Sequence, residues 1–167
     1  MKIFSANIED LRTLYTDNLQ KALDMEQKIV KALPTMIEKS TDPELADAFR
    51  DHLEQTRGHV SKVEDLLRKQ TGEASTATCK VISSLVSSAE DNIKDAKDTA
   101  IRDISLIASG QQVEHHEIAV YGTLRTWAGI LGQEEDAAVL ESILEEEEEA
   151  DELLTEIAGH VNLQAAA

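Results

Sequence analysis

The sequence predicts an all-α protein: four long helices paired as two hairpins, with a long crossover between the pairs that carries a short extra helix. Three observations lead there. Apolar residues recur every three or four positions over four stretches of about 30 residues, the period of a helix with one buried face. Helix breakers are few, with two prolines and seven glycines in 167 residues, and the aromatic share of 3% favours long helices over a sheet. Turn-forming residues gather at three places, two of them tight and one long. The length suits a single domain over 1–167 with a substantial core.

The first helix is expected over about residues 5–39, on the stripe Ile8, Leu11, Tyr15, Leu19, Ala22, Glu26, Ile29, Leu33 and Ile37, with a kink or local break at Pro34. A stop and a restart follow. Thr41 or Asp42 can cap, Pro43 suits the first helical position, and Glu44 favours the positive end of the helix dipole. The second helix runs to about residue 70 with Leu45, Ala48, Phe49, His52, Thr56, His59, Val63, Leu66 and Leu67 inward. Residues 71–78 are small and polar and read as a loop. A short amphipathic helix over about 79–93 uses Val81, Leu85, Val86 and Ala89, so the crossover covers about 71–98.

The third long helix starts near Asp98 or Thr99 and ends before Gly132, presenting Ile107, Gln111, Glu114, Ile118 and Tyr121. The fourth occupies roughly 133–161, with Leu140, Ile143, Leu144, Glu147, Asp151, Leu154 and Ala158 inward and a frayed tail over about 162–167. Tight turns make each pair antiparallel, and the crossover is long enough for the third helix to run parallel to the second. One long crossover between two hairpins is the ferritin-like arrangement.

The net charge of −17 repels nucleic acid and anionic membrane and attracts cations. No apolar run approaches the roughly 20 residues of a membrane span. The first residues lack the apolar core and cleavage site of a signal peptide, and the lone Cys79 excludes an internal disulfide. Both suit a cytoplasmic location, with Cys79 an inert residue at a helix start.

Four acid-rich stretches, one on each predicted long helix, put ligand-type residues on the apolar side: Glu26; the run Glu54 to His59; the run Glu114-His115-His116-Glu117; and Glu147 with Asp151. A carboxylate buried alone is costly, so a converging set should be paired or bound to metal. The spacing brings the set to one height. Glu26 lies about 15 residues before the first turn and Gln55 to His59 about 14–18 after it, which is about 22 Å at 1.5 Å per residue. Glu114 and Glu117 precede Gly132 by about 18 and 15 residues, and Glu147 and Asp151 follow it by about 15 and 19, again about 22–28 Å. Two similar hairpins then face each other with ligand-type residues at mid-height. Carboxylate and imidazole suit iron(II) or manganese(II), and the absence of clustered cysteine argues against iron–sulfur and structural zinc.

The expected ligands are Glu26, Glu114, Glu147 and His59, with Asp151 a ligand or a neighbour of one. Glu117 stands about 80° off the Glu114 face, either a bridging or switching ligand or an exposed acid. Gln55 and His52 are weaker candidates: Gln55 sits at the stripe edge, and His52 reads first as a hydrogen-bonded core or supporting histidine. Glu54 reads as a surface acid, His116 as exposed and His115 as an edge residue. Tyr121 either bonds a ligand or is plain core, and Trp127 packs on the crossover helix or a partner subunit. The run Glu145–Glu149 is otherwise a solvated face.

At these residues the chain resembles the bacterial YciE/YciF stress-protein family of the ferritin-like superfamily. The matching segments are Asp24-Met25-Glu26-Gln27-Lys28; His52 to His59; Gln112-Val113-Glu114-His115-His116-Glu117 through Leu124; and Leu144 through Asp151. The resemblance covers about residues 8–158, and the third segment is its most specific part. It implies a rubrerythrin-like bundle, a homodimer, a dinuclear iron or manganese centre and a link to stress response, in a family with no settled reaction. By position Glu26, Glu114, Glu117 and Glu147 match the family's acids. Gln55 stands where relatives often carry Glu, and the superfamily's Glu-x-x-His pairs are absent from the second and fourth helices.

The expected function is a stress-associated protein with two iron or manganese ions that reacts with peroxide or oxygen, an oxidoreductase whose electron donor is external because the chain has no rubredoxin-like cysteine knuckle. The alternatives are a non-catalytic stress or scaffold protein with a weakened site, and iron storage.

Overall fold

The computed structural model describes residues 8–165. They form α1 (Leu11–Lys39), α2 (Pro43–Thr71), α3 (Lys80–Asp95), α4 (Thr99–Ile130) and α5 (Glu134–Ala165), with no strand among the described residues. The fold is the all-α, ferritin-like bundle, with α3 in the crossover.

The helix ends follow local chemistry. The side chain of Asp10 accepts from the Thr13 amide and Thr13 Oγ1 accepts from the Asp10 amide, a reciprocal cap that starts α1 at Leu11 rather than near Ser5. Residues 5–7 of the expected start lie outside the described residues. α1 stays helical through Pro34, with no local break. Pro34 is exposed, and on that side water can take the carbonyl the ring leaves unpaired. Asp42 caps α2 through the amides of Glu44 and Leu45, with Pro43 at the first turn. α2 stops at Gly72, whose φ of +86° only glycine adopts readily. α5 continues past the expected end at residue 161 to Ala165, and residues 166–167 lie outside the described ones.

Polar residues spaced one turn apart on α1 fix the crossover. Gln20 donates to Ser75 Oγ, Asp24 accepts from the Cys79 amide, and Lys28 donates to Ser83 Oγ. In α3 the buried position belongs to Ile82, while Val81 is exposed, a one-residue correction to the expected face. Cys79 is the N-cap residue of α3 and is buried.

α1 packs on α2 and α4 on α5, and the hairpins meet through α1–α4 and α2–α5. Asp103 near the start of α4 accepts from the amides of Thr41 and Asp42 and from Thr41 Oγ1. The starts of α2 and α4 are therefore at one end of the bundle, and these helices run parallel. At the other end Lys69 of α2 pairs with Asp136 of α5 at 2.7 Å. Leu19, Leu45, Val63, Leu67, Leu106 and Leu140 are fully buried, each contributing about 1.5–3 kcal/mol. No described helix is long and apolar enough to cross a membrane.

Candidate metal centre

Each bundle helix contributes to the centre from near its middle. Glu26 on α1, His52 and His59 on α2, Glu114 and Glu117 on α4, and Glu147 on α5 are all buried. His52 and His59 are two turns apart and return to one face of α2. Glu114 and Glu117 are one turn apart on α4. α4 is covered by α1, α3 and α5, so its buried face is broad enough for both acids.

The side chains form two groups that share one residue. Glu26, His59 and Glu147 make the first; His52, Glu114, Glu117 and Glu147 make the second. Within each group one oxygen or nitrogen from every residue lies within 4.8 Å of the others. His59 Nδ1 is 3.0 Å from Glu147 Oε1 and 3.8 Å from Glu26 Oε1. His52 Nε2 is 3.4 Å from Glu114 Oε1, and its Nδ1 is 3.9 Å from Glu147 Oε2.

Most of these atoms lack a hydrogen bond. Both oxygens of Glu117 and Glu147, both nitrogens of His52, His59 Nδ1, and one oxygen each of Glu26 and Glu114 are buried without a directed partner. Each such atom costs about 1–3 kcal/mol. So dense a group of buried oxygen and nitrogen atoms could hold a metal ion.

The electrostatics agree. Burial, and then the charge of Glu147, push the Glu26 carboxyl up to about 8. The same two causes hold Glu114 and Glu117 well above the usual carboxylate range. Burial opposes charge on His59, but Glu147, Glu26 and Glu146 outweigh it and raise the imidazole to about 9. For His52 burial dominates and lowers it. Glu26, Glu114 and Glu117 thus take up protons unless other positive charge arrives.

A second ring of contacts orients the first. His59 Nε2 lies 2.7 Å from Glu146 Oε2, and Lys62 Nζ is 2.9 Å from Glu146 Oε1. With Nε2 turned to Glu146, Nδ1 faces the centre. The Tyr121 hydroxyl donates to Glu26 Oε1, and its ring meets His59 edge-on at 6.4 Å.

The structure sorts the expected residues. Glu26, His59, Glu114 and Glu147 come together with Glu117, which is fully buried and not an exposed acid. His52 lies inside the cluster without the hydrogen bond expected of a core histidine. Asp151 is in neither group: its Oδ2 is 3.2 Å from Nε2 of exposed His115, its Oδ1 is buried without a hydrogen bond, and its charge helps to raise Glu114. Gln55 is half-buried and lines an opening with Asp51 and Glu149 that leads to His52 and Glu114. His116 is half-buried with Nε2 3.6 Å from Cys79 Sγ, because the crossover covers that side of α4. Trp127 is half-buried against the core. Glu146 went unrecognised in the acidic run; the unfilled need of His59 for an acceptor beside inward Glu147 was the available signal.

Two helical hairpins, one crossover and an acid–imidazole cluster at mid-height define a ferritin-like protein. Residues 10–167 match the family described as Domain of unknown function (DUF892). Protein YciF of Escherichia coli K12 is 31% identical over 161 residues, covering 95% of this chain and 97% of YciF. The crystal structure of that stress protein superposes with a TM-score of 0.87 at 30% identity, covering 92% of this chain and 97% of the other. YcfI of Rhodopseudomonas palustris, proposed in its description as a structural protein, gives 0.88 at 33% identity, with 92% and 98% covered. The chain belongs to the DUF892 family, that of the stress protein YciF.

Proposed function

We propose that this chain is a stress-associated, dinuclear iron or manganese carboxylate protein that reacts with peroxide or dioxygen. The observation that carries the reading is the double cluster around Glu147, most of whose buried donor atoms lack a hydrogen bond. Glu26 and His59 would hold one ion, and His52, Glu114 and Glu117 the other, with Glu147 common to both. The donors are oxygen and nitrogen only, which suits iron(II) and manganese(II). Two divalent ions balance four carboxylates with both imidazoles neutral. When bound, such a pair supplies reversible one-electron chemistry at each ion.

The chain's own residues do the rest. Tyr121 and Glu146 fix Glu26 and His59, so the donors are set before an ion arrives. The surrounding apolar side chains exclude water and strengthen the electrostatics. Location in the cytoplasm, a homodimeric state and an external electron donor complete the proposal.

Metal analysis of the purified protein, followed by peroxide or dioxygen consumption after anaerobic iron(II) loading, tests it. Two ions per chain and turnover are expected; a protein that takes up neither metal overturns it. A non-catalytic structural role is the second reading, supported by Gln55, a neutral amide at the opening, and by the description of the R. palustris relative.

A further inference from the structure

We propose that the cavity between α1, α3 and α4 is a binding site for dioxygen, separate from the opening that admits cations. The inference rests on the metal reading for its purpose and on the cavity alone for its existence.

Two spaces end on the same pair of side chains, His52 and Glu114. The interior of the first is walled mainly by Leu33, Met36, Phe49, Val86, Ala89 and Val113, while Lys31, Thr35 and Glu90 are exposed at its mouth and Ser109 adds one buried hydroxyl. The second passes Asp51, Gln55 and Glu149 between α2 and α5. They differ in charge: the mouth of the first balances Glu90 with Lys31, whereas the second carries the acids Asp51 and Glu149 with no cation. An ion loses its hydration in the apolar space at a cost of several kcal/mol, whereas acid and amide side chains at the other opening draw cations in. A small uncharged apolar molecule has the reverse preference.

The cavity has a volume of about 60 Å³, room for a molecule of a few heavy atoms. Its floor is reactive, not inert. His52 and Glu114 are 5% and 3% exposed, and both nitrogens of His52 and one oxygen of Glu114 are unpaired. A guest in this cavity therefore lies against donor atoms of the centre.

Phe49 lines both spaces and forms the partition between them. It can stand there because position 110 is glycine. A Cβ on Gly110 would fall 3.2 Å from Phe49 Cε1 and 2.9 Å from Leu154 Cδ1. The outer wall comes from the crossover: Val86 and Ala89 are on α3. The short extra helix thus supplies one wall of a cavity over the centre, a role beyond connecting the hairpins.

Xenon-pressurised crystals and methyl NMR under dissolved dioxygen test the site, and neither needs bound metal. Xenon is expected against Leu33, Phe49, Val86 and Val113. Dioxygen, being paramagnetic, should broaden the Leu33, Val86 and Val113 methyls ahead of other core methyls. Ala89→Phe, with Ala89→Leu as the milder variant, should abolish both effects. Ordered water in the cavity with no xenon, or broadening that the variants leave unchanged, overturns the inference. In iron(II)-loaded protein, Ala89→Phe should slow oxidation by dioxygen about tenfold by filling the cavity, and leave oxidation by hydrogen peroxide unchanged. Equal slowing of both overturns the separate route. A protein that binds xenon and no iron sinks the metal reading alone.

Discussion

Protein stripped of metal is expected to lose stability as the pH rises from about 5 to about 8, opposite to ordinary acid denaturation. Glu26 drives the effect. Its carboxyl has a folded pKa of about 8 against an ordinary 4.5. Between those values the folded state binds more protons than the unfolded state, so stability falls with pH. The contribution is full below about 4.5 and gone above about 8. The difference of about 3.5 units, at 1.36 kcal/mol each, is about 5 kcal/mol. Glu114 and Glu117 act in the same direction. So does His59, raised from 6.5 to about 9, over that higher window. His52 is lowered and opposes them, but only below 6.5.

For a domain of this size 1 kcal/mol corresponds to about 2–4 °C, so chelated protein should melt about 10–20 °C lower at pH 8 than at pH 5. Manganese(II) should cancel the loss, since metal and protons compete for the same carboxylates and metal wins as the pH rises. Thermal unfolding by circular dichroism across this range, with and without manganese(II), measures both curves. A melting temperature of the chelated protein that is level or rises with pH would refute the reasoning.

Glu147→Leu should cut bound metal to near zero while making the chelated protein equally or more stable, by up to about 4 kcal/mol at neutral pH, because it removes a buried carboxylate; metal analysis and urea unfolding check the two halves. Glu146→Gln keeps the shape but weakens the acceptor at His59, so metal affinity should fall about 10–100-fold with little change in metal-free stability, as read by competitive chelator titration. Asp103→Ala removes three hydrogen bonds between α4 and the α1–α2 turn and should cost about 3 kcal/mol in urea unfolding, with metal content unaltered.

Much of the bundle was legible in the sequence because helix periodicity is local. The stripe through Leu19, Ala22, Glu26 and Ile29 marks a buried face without knowledge of what covers it. The heights of Glu26, His59, Glu114 and Glu147 followed from a constant rise per residue counted from two turns. The residues that periodicity alone could not place depend on neighbours from other helices. Glu117 and His116 lie off the expected stripe of α4, and they are covered because α1, α3 and α5 surround that helix on three sides. Asp151 has a ligand's spacing from Glu147, but His115 across the α4–α5 contact takes it.

The sequence by itself determined that four amphipathic helices form, where the turns between paired helices fall, and that acids would share their apolar faces, since caps, breakers and periodicity act within a few residues of chain. The tertiary structure alone decided which of those acids meet, that Glu147 belongs to two groups at once, and that Glu146 supports His59 while Asp151 does not. Those outcomes turn on distances of 2.7–3.2 Å between chain segments far apart in sequence, and helix rotation and packing set such distances.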